Sequence, residues 1–104
     1  MIITASDMIA EKRVVKTLGL VKGNCVRAQN LGKDLLVFFH NLAGGEIETY
    51  TKLLAELREQ AKDRMIAQAE QFGANAIVNV RYSTSYIMGG AAEFLAYGTA
   101  VVVE

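Results

Sequence analysis

Between Thr49 and Phe72 the apolar residues return at the helical period. Tyr50, Leu54, Leu57, Ala61, Met65 and Phe72 share one face, and Lys52, Glu56, Glu59 and Lys62 lie on the other. Glu48 and Lys52 stand four apart in the order that supports a helix. Gly73 is the expected residue just past the helix end. The pattern predicts a long amphipathic helix lying across a sheet. From Arg13 to Ala28 the residues Val14, Val15, Leu18, Leu20, Val21 and Val26 predict a strand, with Gly19 and Gly23 marking a bulge or bend. Asn75 to Tyr86 alternates. Ala76, Val78, Val80 and Tyr82 fall on one face, with Asn79 and Arg81 on the other, as in a half-buried strand. Phe94 to Val103 is almost continuously apolar, as in a strand covered on both faces. Met88-Gly89-Gly90 between these two predicts a hairpin turn.

Two segments are less regular. Ile2 and Ile3 suit a very short strand, followed by a turn or cap at Ser6-Asp7. Asp34 to Leu42 predicts a short helix that is apolar nearly all round and is stopped by Gly44-Gly45. Such a helix needs cover on several sides. The expected subunit is therefore an α+β unit of order strand, short helix, long helix, strand, strand. It has a three-stranded antiparallel sheet, one long and one short helix, and a second sheet face that a symmetric oligomer would cover.

Composition narrows the function. The chain has 104 residues, 52% of them hydrophobic, so it reads as one folded domain with more apolar surface than its own core absorbs. Eleven basic and eleven acidic residues balance, without the basic excess of a nucleic-acid-binding domain. The single cysteine, Cys25, rules out an internal disulfide, and no signal peptide or membrane span is visible. A cytoplasmic protein with no nucleic-acid or membrane partner is expected.

No catalytic constellation stands out, so an enzyme is not the leading expectation. Ser83, Thr84 and Ser85 have no base near in sequence, the only histidine being His40. Gly44-Gly45-Glu46 and Gly89-Gly90 lack the fingerprint of a phosphate loop. Glu46 and Glu48 suit the positive end of the long helix. Asn30, Lys33 and Asp34 sit at a strand-to-helix junction, where they either cap the short helix or border an anion-binding cleft. Tyr50, Arg58, Tyr82 and Tyr97 are residues that line interfaces or pockets between subunits. His40 suits the end of a helix as a cation.

Several segments together resemble the YbjQ-like family, which carries a heavy-metal-binding label. They are Gly23-Asn24-Cys25-Val26-Arg27-Ala28-Gln29-Asn30, Lys33-Asp34, Gly44-Gly45, Tyr50, Gly73 through Arg81, and Ala96 through Val101. The resemblance covers about residues 2 to 103 as a single domain. Glu46-Ile47-Glu48-Thr49 lacks the arginine of the common pattern, and Lys33 holds a position that is usually basic. The resemblance implies a two-layer β-α-β-β subunit, dodecin-like, in a ring-shaped homopentamer, with a further pairing of two rings to a decamer as an option. One chain offers no cluster of metal ligands, whereas a ring would bring copies of Cys25 to its axis. Against that stands the ordinary fate of a free cysteine, burial on a strand. The expected function is an oligomeric module binding a small ligand or metal ion, with Asn30, Asp34, Tyr50 and Arg58 as its binding residues. The alternatives are a scaffolding ring without a ligand, and an enzyme whose site, built around Asp34, Tyr50 and Arg58, is shared between subunits.

Overall fold

The long helix and the strands form where the hydrophobic pattern places them. The computed structural model describes residues 1–27, 46–87 and 91–104. In chain order these form β1 (Ile2–Ile3), β2 (Val14–Arg27), α1 (Glu46–Gln71), β3 (Ala76–Ile87) and β4 (Ala91–Val103). The expected short helix Asp34 to Leu42 lies outside the described residues.

The sheet corrects the expectation of three antiparallel strands. Among the described residues it has four strands in the order β1-β3-β4-β2, and it is mixed. β2 and β3 both run antiparallel to β4, while β1 runs parallel to β3 through Ile2 and Ile3. Two residues are too short for an alternation to show in sequence. Backbone contact continues past β1, with Val80 N–H donating to Thr4 O (3.0 Å) and Asn79 N–H to Ser6 O (3.0 Å).

Bulges correct the assignment of faces. Val78 pairs with Thr99 but Arg81 with Tyr97, so β3 carries one extra residue, and Asn79 takes φ 55° there. A single extra residue flips every later side chain to the other face. Ile77 and Val80 thus both enter the core under α1, whereas Ala76 and Val78 join Val101 and Val103 on the far face. Ala76, Val78, Val80 and Tyr82 do not share one face. In β2, Gly19 sits at a bulge with φ 121°, as its place inside the strand suggested.

The core lies between α1 and the sheet. Leu57, Ala61, Met65 and Ala69, each four apart, are buried against Val21, Cys25, Phe94, Ala96 and Ala100. Phe72, expected on this face, follows the end of the helix and is 46% exposed. Gly73 follows it with φ 86°. Gly23 marks contact, not a bend: a Cβ there would lie 2.2 Å from Ala61 O and from Met65 N. The helix backbone rests directly on β2.

Among the described residues, the far face of β4 is covered at one end only. Ile9 packs on Val78, Val101 and Val103. Further along the same face Leu20 is 67% exposed and Val26 50%. At the closed end Asn75 acts as a substitute strand partner. Its side-chain Nδ2 donates to Val103 O and its Oδ1 accepts from Val103 N–H, both at 2.8 Å. Asn75→Ala strands both backbone groups, and a loss of about 1–2 kcal/mol is expected in urea denaturation.

Candidate functional site

Two open-sided clefts meet at Tyr82. One, of about 380 Å³, lies between α1 and β3 and is lined by Ala55, Arg58, Glu59 and Tyr82. The other, of about 480 Å³, is lined by Ile3, Thr4, Ala5, Val80, Arg81 and Tyr82. The first exists because α1 packs mainly on β2 and β4 and hardly touches β3. The bulge at Asn79 then turns Tyr82 to the helix side, where it pairs with Ala96 of the core.

The helix wall of this cleft is a charged row. Lys62 Nζ lies 2.7 Å from Glu59 Oε2, and Arg58 stands one residue before Glu59. The hydrogen bond that Lys62 donates to Glu59, together with the carboxylate's negative charge, holds the Lys62 ammonium above the ordinary lysine value of 10.5. The pair's stabilisation is therefore fully present below that value and is lost as the pH rises through the raised one. It is a solvent-screened pair, so Lys62→Gln is expected to lower stability by less than ~1 kcal/mol at neutral pH, as read by thermal denaturation.

Of the expected site residues, Arg58 is brought into a cleft together with Tyr82. Tyr97, grouped with them in sequence, is on the opposite face of the sheet, paired with Lys22 and Arg81. Tyr50 lies in the N-terminal turns of α1. Asn30, Lys33, Asp34, His40, Gly44-Gly45 and Gly89-Gly90 lie outside the described residues. Glu59 and Lys62 were assigned to a solvent face; their spacing, i and i+3 beside Arg58, is the signal that joins them to it.

Cys25 is buried on the core face of β2, and its Sγ lies 3.0 Å from Gln60 Oε1. Gln60 opens a second helix row at four-residue spacing. Gln68 Oε1 accepts from Lys22 N–H at 2.8 Å, and Arg64 Nη1 donates to Asn24 O at 2.5 Å. These groups cover the edge of β2 at Lys22 and Asn24. Among the described residues no three His, Cys, Asp or Glu side chains gather as a metal site.

A family model described as "putative heavy-metal-binding", named YbjQ, matches residues 1–104. The chain belongs to the YbjQ family. It is 52% identical over 104 residues to a UPF0145 protein of Dehalococcoides mccartyi, covering all of both chains. A UPF0145 protein of Halorubrum lacusprofundi is 55% identical over 96 residues, which is 92% of each chain. One of Methanosarcina acetivorans is 50% identical over 103 residues, covering 99% of this chain and 97% of that one. A solved structure from Pediococcus pentosaceus, titled a protein of unknown function of the DUF74 family, superposes with TM-score 0.65 at 18% identity. It covers 100% of this chain and 98% of that one. The YbjQ fold thus extends to sequences that share few residues with this one. No helix among the described residues is long and apolar enough to cross a membrane.

Proposed function

We propose that this YbjQ-family protein is a self-assembling cytosolic binding module, not an enzyme, and that it holds a small oxyanion-bearing ligand at a cleft between subunits. The observation that carries this reading is the cleft of Ala55, Arg58, Glu59 and Tyr82, which among the described residues has one wall of helix, a floor of strand and no second wall. A guanidinium grips a carboxylate or phosphate with two parallel hydrogen bonds, and a phenol adds a directed donor. A neighbouring subunit is the natural source of the missing wall. The excess apolar surface at Leu20, Val26 and Tyr97 supports the same assembly from the other face of the sheet. A homopentameric ring, single or doubled, is the form that the family resemblance favours. In it Asn30, Asp34 and Tyr50 would complete the ligand's surroundings.

Thermal denaturation against a panel of small phosphates and carboxylates tests the ligand. A ligand present at a hundred times its Kd stabilises by about 2.7 kcal/mol, which raises Tm by several degrees. That shift is expected in the native protein and is expected to vanish in Arg58→Ala and Tyr82→Phe. No shift with any member of the panel would reject the oxyanion reading.

The metal description of the family calls for its own test, and Cys25 is the residue it would fall on. A thiol needs to leave Gln60 and shed its proton before it binds a soft ion, and copies from several subunits need to meet. Titration of the untagged protein with Zn²⁺ and Cu⁺ decides this. Tight uptake that Cys25→Ala abolishes assigns the metal to Cys25; uptake unchanged in that variant removes Cys25 as a ligand.

A further inference from the structure

We propose that the outer edge of β3 is a docking surface for a second copy of this chain, joined antiparallel across a two-fold axis at Thr84. Among the described residues the sheet has two outer edges, β2 and the β1 side of β3. From Lys22 to Asn24 the first is occupied by the chain's own helix: Gln68 takes the Lys22 N–H and Arg64 caps the Asn24 carbonyl. A strand added there would have to displace both. The second edge is treated differently. β1 pairs only with Ala76 and Ile77, and residues 4 to 6 cover Asn79 and Val80. From Tyr82 to Ile87, β3 pairs with β4 on one side, and among the described residues no strand lies on the other.

Exposed edges normally carry a defence against pairing: a lysine, a proline or a bulge. Tyr82-Ser83-Thr84-Ser85-Tyr86-Ile87 has none of these, and no charge of either sign. Its first five residues read the same in both directions. Two copies run antiparallel about Thr84 therefore match at every position. Thr84 faces the partner's Thr84, Ser83 the partner's Ser85, and Tyr82 the partner's Tyr86. Aromatic pairs and threonine or serine pairs are favourable cross-strand neighbours.

Backbone direction agrees with this register. Val80 N–H points out of the edge, toward Thr4. Polar groups alternate along a strand, so Tyr82, Thr84 and Tyr86 present their N–H and C=O groups outward too. Centred on Thr84, these residues exchange about six main-chain hydrogen bonds with a second copy.

The contact deepens the proposed function, on whose self-assembly it rests, because it completes the cleft. Both copies keep α1 on the same side of the joined sheet. The open side of the cleft at Arg58, Glu59 and Tyr82 then faces the same groups of the partner. Two helix walls stand over a strand floor. If the ring also forms, this two-fold contact is what would join two rings.

The test places a cysteine at the axis. In a Cys25→Ala background, Thr84→Cys puts two Cα atoms about 5.5 Å apart across the axis, within disulfide reach. Oxidation with copper–phenanthroline is expected to give a covalent dimer, while Ser83→Cys, offset from the axis, gives far less. Thr84→Pro deletes only an outward N–H, which an edge strand tolerates. That variant is expected to keep its circular dichroism and lose half of its particle mass. An oligomeric mass with no Thr84→Cys dimer would overturn the edge pairing and leave self-assembly standing. A monomeric native protein would overturn both. A dimer held at Thr84 with no larger particle would support the edge and reject the ring.

Discussion

Gly23→Ala is expected to destabilise the protein by about 3 kcal/mol or more, enough to remove much of the stability of a domain this size. The added methyl would stand 2.2 Å from Ala61 O and Met65 N and 2.8 Å from Arg64 C, all of them helix backbone. A flexible side chain could swing away from a methyl; a helix backbone cannot. Relief requires α1 to lift from β2, and that movement would open the contacts of Ala61, Met65 and Ala69 together. It would also pull Arg64 and Gln68 off the edge of β2. Gly19→Ala is the matched control. Nothing lies within 4 Å of its added carbon, and only its φ of 121° opposes substitution. Urea denaturation of the two variants is expected to rank Gly23→Ala as the more damaging.

Met65→Ala is expected to cost about 2–5 kcal/mol, the range for emptying a large site in a core. Met65 is among the largest fully buried side chains, on the face of α1 that packs against the sheet. Its neighbours along the helix row, Ala61 and Ala69, are too small to fill the space it would leave. Phe72→Ala removes more atoms but from a residue 46% exposed beyond the helix end, so its cost is expected to stay near 1 kcal/mol or below. A larger loss for Phe72 than for Met65 in chemical denaturation would place the helix in a different rotation over the sheet.

The elements that periodicity can report were legible in the residues. The helix from Thr49 follows from a repeat near four, the strand from Asn75 from alternation, and the strands from Arg13 and Phe94 from their apolar and β-branched content. What escaped is what breaks a period or exceeds one element. Asn79 inserts a single residue into β3 and so sends Val80 and Tyr82 to the face opposite Val78, which a strict alternation cannot show. β1 pairs through two residues and has no period at all. Gly23 looked like a kink because glycine in a strand serves two ends. The buried Ala61-Met65-Ala69 row was the sign that a helix came close enough to need it.

The candidate site was legible in part for the same reason. Arg58 and Tyr82 were singled out as residue types that suit interfaces, and the fold brings them to one cleft. Tyr97 has the same chemistry, but its register turns it to the other face. Glu59 and Lys62 read as a solvated stripe because a helix wheel does not reveal that β3 runs beside that stripe without packing on it.

The mass of the untagged protein in solution, by light scattering or native mass spectrometry at micromolar concentration, tests self-assembly most directly. A single species at a whole-number multiple of the 11.3 kDa chain is expected, and it should persist on dilution through that range. A monodisperse particle of one chain would contradict it.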